Sequence, residues 1–268
     1  MRSARSSRTR RTSCARRSRR WDCRRSSPSV PGLTTTGPPR WPNCVVASRA
    51  QRAFVADAAH ELRSPLTALG LQAQLAERAG NDADRASALA ELRGGLARAT
   101  RMVEQLLALA REEPGVTERP FAPVALATIA RAVVATFAPV AAVKSIDLGL
   151  ERADDVNVAG DADALTTLLA NLVDNAIRYT PEGGRVDVLV AAQPVPTLTV
   201  RDDGPGVPVS ARARLFERFV RGSDAAAPGS GLGLAIVQRI AARHGATATL
   251  ADGIGGQGLS VVVAFPSP

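Results

Sequence analysis

In "DAAHELRSPLTAL" (residues 57–69) a histidine, an acid and a proline fall within six positions of a helical pattern. Imidazole titrates near neutral pH, and a neighbouring carboxylate can orient it and take its proton so that the other nitrogen becomes nucleophilic. His60 has that neighbour in Glu61. At 100° per residue Leu62 lies about 200° around the helix, so the imidazole faces away from the seam of Leu62, Leu66 and Leu69. Ser64 follows one turn on, on the His60 face. Pro65 removes one backbone hydrogen bond and crowds the carbonyl of Glu61, four residues earlier. A bend there would open the helix beside the ring to a large partner. A histidine alone has nothing to attack, so other residues must hold the reagent.

Three later stretches offer that hold. "NLVDNAIRY" (171–179) sets Asn171, Asn175 and Arg178 at i, i+4 and i+7, within about 60° of helix arc. Leu165, Leu169, Leu172, Val173 and Ala176 occupy the opposite face. Two amide oxygens and a guanidinium together suit Mg²⁺ and phosphates. Tyr179, the only tyrosine in the chain, follows directly. In "RDDGPGVP" (201–208) Asp202, at a strand end, can accept a hydrogen bond from an exocyclic amine. Gly204 and Gly206 allow a tight backbone path beside it. "PGSGLGLAIV" (228–237) places Gly229, Gly231 and Gly233 ahead of an apolar helix, where free N–H groups face an anion. Each glycine pattern is common in turns; their order carries more information than any one alone.

The elements that must position these residues are legible from periodicity. Leu89, Leu92, Leu96, Ala99, Val103, Leu106 and Ala110 repeat at alternating spacings of 3 and 4, a heptad seam. Val55, Ala58, Leu62, Leu66, Leu69, Ala73 and Ala76 keep nearly the same rhythm. Between them "RAGNDAD" (78–84) supplies Gly and Asn to stop one helix and Asp to cap the next. A helical hairpin over 50–112 cannot cover two apolar seams, whereas two copies forming a four-helix bundle can; a homodimer is expected. "REEPGVTERP" (111–120) reads as a linker, assigned to 113–120. From 121 to 268 the elements alternate. "FAPVAL" and "SIDLGL" are extended, 126–142 is helical, and a strand covers 156–159. A helix over 162–179 is capped by Asp161. Strands at 185–192 and 197–202 precede the glycine-rich region, and a helix at 231–243 and strands at 246–251 and 258–265 follow it. This mixture predicts an α/β sandwich.

Charge and cysteine usage bound the rest. Residues 1–49 hold 13 arginines against one acid, Asp22, leaving 21 basic and 24 acidic residues in the remainder. The net charge of +9 therefore belongs to the tail, and the folded body gives no reason to expect nucleic acid. Cys14, Cys23 and Cys44 also sit there, at spacings that match no zinc pattern. No apolar run approaches the roughly 20 residues that cross a bilayer, so the chain as written reads as cytoplasmic. The disordered tail reads as a basic arm for RNA or membrane, as a transit peptide, or, preferred here, as GC-rich DNA translated out of frame.

A heptad hairpin with an outward His-Glu pair, then Asn-x-x-x-Asn, Asp-x-Gly-x-Gly, "RLFERFVRG" and Gly-x-Gly-x-Gly resembles the sensor histidine kinases of bacterial two-component systems. The resemblance runs from about residue 50 to 265. It implies a HisKA-type phosphoacceptor hairpin followed by a GHKL-type ATP-binding sandwich, with ATP and Mg²⁺ as cofactors. His60 would then be the phosphoacceptor, Glu61 its base and Pro65 the helix-bending proline. Asn175 would hold Mg²⁺ with support from Asn171, and Arg178 and Tyr179 would flank the triphosphate and adenine. Asp202 would read the adenine amino group, Gly204 and Gly206 would shape its pocket, and Arg221 would reach the γ-phosphate. Gly229, Gly231 and Gly233 would close a lid over 222–230, anchored by Phe216 and Phe219. The partner would be the receiver domain of a response regulator, phosphorylated on an aspartate.

Ser64 stands where the family often has Thr or Asn to hold a dephosphorylating water, so the resemblance implies less for that activity. Family members are usually fed by sensor and transmembrane segments upstream, the implied route to a membrane. His244, at a helix end, is read as a residue favourable to the helix dipole. The competing readings are a GHKL ATPase, a regulatory module dominated by phosphatase action, and nucleic-acid binding by the tail.

Overall fold

A computed structural model of the chain describes residues 43–111, 120–220 and 230–267, without the side chains of 43–57, His60 and Glu61. The tail to residue 42, the linker through 119, Arg221 and Gly229 lie outside the described residues. Arg49–Pro268 form one compact unit.

Helix α1 (Asn43–Arg78) begins ahead of the expected start near residue 50 and continues through Pro65. Helix α2 (Asp82–Arg111) returns beside it. Its first turn is capped by Asn81, not by the expected aspartate. Asn81 Oδ1 accepts from the Asp84 N–H at 2.8 Å, and its Nδ2 donates to the Asp84 carboxylate at 2.8 Å. A side-chain amide can do both at once, and a carboxylate cannot. The apolar seams divide in a way that the spacing did not separate. Ala99 and Leu106 are buried and Leu62, Leu69 and Leu92 partly so, while Leu66, Leu89, Leu96 and Val103 stand exposed beside Leu71, Leu75 and Leu107. Two helices cover only one side of each heptad stripe.

The α/β part opens with β1 (Ala122–Ala125), paired antiparallel with β3 (Asn157–Gly160) in a small sheet. The main sheet has the order β2-β4-β5-β7-β6, from β2 (Asp147–Ala153), β4 (Arg185–Ala191), β5 (Thr197–Asp202), β6 (Thr247–Asp252) and β7 (Leu259–Ala264). β2 and β4 run parallel and the other pairs antiparallel. Helices α3 (Leu126–Val143), α4 (Ala162–Tyr179) and α6 (Gly233–Arg243) pack together, and a single turn α5 (Val209–Arg212) lies between β5 and α6. Val186, Val188 and Val190 alternate with Asp187 and Leu189, which sends the valines into the buried core beside Leu198, Val200, Val261 and Val263. From α4, Leu165, Leu168, Leu169, Leu172, Val173, Ala176 and Ile177 meet them at helical period.

Helix α3 tests the expectation about apolar runs. Among the described residues Leu126–Val143 is long and apolar enough to cross a membrane, with a mean hydropathy of 1.8. Alanines and valines, with Arg131 as the one charge, raise the mean. Its buried face (Ile129, Ala130, Val133) belongs to the core of the α/β part.

Candidate functional site

Helix α4 carries the polar triplet because its opposite stripe is committed to the core. Its start is held by Asp161, whose Oδ1 accepts from the N–H groups of Asp163 (3.1 Å) and Ala164 (3.3 Å), the predicted cap. Its end is held by a residue the pattern did not single out. Lys144, the chain's only lysine, donates from Nζ to the carbonyls of Ile177 (2.7 Å), Arg178 (3.2 Å) and Thr180 (2.7 Å). These are carbonyls without helical partners at the negative end of the helix dipole. The lysine is distant in sequence, so only the α3–β2 connection passing α4 could reveal it.

Beside this helix end lies a cleft of about 300 Å³. Asn175, Arg178 and Tyr179 line it from α4, Asp202 from the end of β5, Gly206 from the loop that follows, and Ser230, Gly231 and Gly233 from the approach to α6. Leu172, Ala176, Val200, Leu259 and Val261 make an apolar floor. Arg178 is ion-paired with Asp174 one turn earlier. Tyr179 is 37% exposed, presenting an aromatic surface at the rim. The cleft thus joins an apolar slot to a polar mouth.

Asp202 is 7% exposed. Its Oδ1 accepts from the N–H groups of Gly204 (2.9 Å) and Leu259 (3.1 Å). Burial raises its pKa above the usual carboxylate value, and the two N–H bonds only partly offset that. Gly206 has φ +69°, and a Cβ there would come within 2.6 Å of the Gly258 carbonyl oxygen; the turn needs glycine. Gly204 lies against the Tyr179 carbonyl, so it joins β5 to the end of α4.

Across the cleft Gly233 opens α6, and a Cβ on it would lie 2.9 Å from Asn175 Nδ2. Its bareness lets the helix N-terminus approach the asparagines. The Phe219 N–H donates to the Gly231 carbonyl at 2.9 Å, which joins the two flanks of segment 221–229. Phe219 takes φ +63°, a region costly for a bulky residue. Leu215 is buried in the preceding turn, whereas Phe216 is only partly so. Arg221 and Gly229 fall in the undescribed segment.

Asn171 is not among the cleft-lining residues. Its Nδ2 donates to the Thr167 carbonyl (2.8 Å), and its Oδ1 accepts from Gln105 Nε2 (3.3 Å) on α2 of the hairpin. Gln105 lines the cleft and was missed in the sequence, where it reads as one polar position on a heptad helix. Among the described residues no three His, Cys, Asp or Glu side chains gather to bind a metal. A hard cation here would rest on neutral amide oxygens and on oxygens of a bound anion, a donor set suited to Mg²⁺.

The remaining predicted residues lie on the hairpin. His60 and Glu61 are within α1, and Ser64 is exposed one turn on. His244 departs from its expected role. It is 4% exposed, stacked on Phe121 at 4.7 Å. Its Nε2 accepts from the Asp161 N–H at 3.0 Å, and its Nδ1 lies 2.8 Å from the Ile240 carbonyl. An acceptor Nε2 requires the neutral Nδ1–H form, so the ring ties the start of α4 to α6 and is not a charge on the helix dipole.

The His Kinase A (phospho-acceptor) domain family matches residues 50–115, and the Histidine kinase-, DNA gyrase B-, and HSP90-like ATPase family matches residues 160–268. Sensor protein QseC of Salmonella typhimurium is 42% identical over 217 residues, covering 80% of this chain and 47% of that protein. Sensor protein kinase PmrB of Pseudomonas aeruginosa is 40% identical over 223 residues, covering 82% and 46%. The chain thus spans about half the length of these curated relatives. Among solved structures, full-length ShkA in complex with AMPPNP is 29% identical with a TM-score of 0.56, covering 81% of this chain and 47% of that one. The mycobacterial sensor histidine kinase MprB is 30% identical with a TM-score of 0.50, covering 55% and 99%. With a phospho-acceptor region and an ATPase region matched in this order, the chain belongs to the sensor histidine kinase family.

Proposed function

We propose that this chain is the kinase portion of a two-component sensor, transferring the γ-phosphoryl group of ATP to His60 and then to an aspartate of a response regulator. The observation that carries the reading is the convergence of Asn175, Arg178, Tyr179, Asp202, Gly206 and Gly233 on one cleft, in a chain whose residues 50–115 match a phospho-acceptor family. The apolar slot takes the adenine, and Asp202 accepts from its amino group. Tyr179 covers the base. Arg178 and the N–H groups ahead of α6 face the phosphates. Asn175, with Asn171 beside it, would hold Mg²⁺, which offsets charge on the transferring group. Arg221 is assigned to the γ-phosphate and Gly229 to the loop over the nucleotide.

At the hairpin, Glu61 takes the proton from one imidazole nitrogen while the other attacks phosphorus. A P–N bond forms, the bond to the β-phosphate oxygen breaks, and ADP leaves with the electron pair. The phosphoramidate is a reactive donor for the regulator carboxylate. Two copies pair through the exposed leucines of the hairpin. A second activity is favoured by one observation. Ser64 is exposed a turn after His60, and the Mycobacterium relative MprB, 36% identical, is named a histidine-protein kinase/phosphatase. A Ser64→Ala variant tested on phosphorylated regulator reports whether that hydroxyl serves dephosphorylation.

The test of the main reading is incorporation of label from γ-labelled ATP. Acid-labile, base-stable label is expected, lost in His60→Gln while nucleotide binding persists. Equal labelling of that variant, or acid-stable label, overturns the assignment.

A further inference from the structure

The cleft is not built from the α/β part alone. Gln105 enters it from α2, next to Leu106 and Leu109, which are buried in the same apolar cluster as α4 and α6. Its amide is used at both ends. Nε2 donates to Asn171 Oδ1 at 3.3 Å, and Oε1 accepts from Ser230 Oγ at 2.6 Å. Ser230 Oγ in turn accepts from the Leu232 N–H at 3.2 Å, on the approach to α6. One hairpin side chain therefore spans the cleft mouth, from the asparagine helix to the glycine-rich approach.

Resting on the reading above, we propose that Gln105 is a positioning residue that couples nucleotide occupancy to the contact between hairpin and ATP-binding part. Phosphates at the mouth draw the Ser230 hydroxyl proton to themselves, and a cation draws the Asn171 oxygen. Both are the groups that Gln105 holds through its own amide. The hairpin contact and the nucleotide thus compete for the same donors and acceptors. By linkage each weakens the other by the same factor. The consequence is directional. Loading the cleft releases α2, so the ATP-binding part is set free to reach His60 when it carries a phosphoryl group to deliver.

Gln105→Leu keeps the size of the side chain and removes both hydrogen bonds. Titration of the full chain with Mg²⁺ and AMPPNP is expected to show binding about three- to tenfold tighter in the variant, the range for losing two partly exposed neutral hydrogen bonds. Hydrogen exchange over residues 102–109 is expected to rise on adding AMPPNP to the wild type, and to be already raised in Gln105→Leu. A residue that only packs would leave nucleotide affinity unchanged. Affinity that is unchanged or weaker in the variant overturns this proposal while leaving the kinase reading intact. Tighter binding in a chain that labels without His60 upholds the coupling and overturns that reading. A chain that binds no nucleotide overturns both.

Discussion

At the scale of single residues the cleft sets a carboxylate in an apolar wall. Burial raises the Asp202 pKa, so the folded chain binds this proton more readily than the unfolded chain does. Stability from this group is full below its ordinary value of 3.8 and falls as pH rises toward the folded value. Asp202→Asn keeps an oxygen for the Gly204 and Leu259 N–H groups and cannot ionise. Urea unfolding of the variant from pH 4 upward should lack that fall, so its stability relative to wild type rises with pH. The same variant should lose ATP affinity by about tenfold or more, because an exocyclic amine then meets a neutral acceptor; unchanged affinity would remove Asp202 from base recognition. Gly206→Ala should cost nucleotide binding and about 1–3 kcal/mol of stability, since it combines a positive φ with a clash against the Gly258 carbonyl. Calorimetric unfolding and a nucleotide titration measure the two losses separately.

At the scale of elements, α4 is held at both ends by residues from elsewhere in the fold. The Lys144 ammonium serves three carbonyls where the helix delivers Arg178 and Tyr179 to the cleft. Lys144→Met should destabilise the chain by about 1–2 kcal/mol, on the scale of hydrogen bonds to a charged group, and Lys144→Arg should recover part of it. Equal urea midpoints for Lys144→Met and wild type would show that water serves those carbonyls as well. At the other end Asp161 caps α4 through its side chain and donates its N–H to His244. The cap was legible, because an aspartate before a helical stripe has a local cause. The histidine was not, because its partner lies 83 positions away.

For the whole molecule, the apolar residues left exposed on the hairpin are the informative ones. Leu89, Leu96 and Val103 recur every seven residues on α2 and stand 38%, 58% and 42% exposed. In the proposed dimer they face a second copy. Leu96→Glu would then bury a carboxylate without a partner, several kcal/mol against association. Sedimentation velocity should show the dimer dissociating at concentrations roughly a hundredfold higher than for wild type, with helical circular dichroism retained. A variant that sediments as the wild type does would place the dimer surface elsewhere.

Period and punctuation alone determined the helical hairpin, the α4 span with its cap, the β5 span and the polar face of Asn171, Asn175 and Arg178. Each of these depends on neighbours within a few turns of chain, where a side chain's direction follows from its spacing. Tertiary structure decided which half of each heptad stripe stays exposed, that His244 is buried and neutral, and that Lys144 closes α4. It also put Gln105 from the hairpin between Asn171 and Ser230. These outcomes join positions tens of residues apart, and no local period records which distant surface will cover a given face.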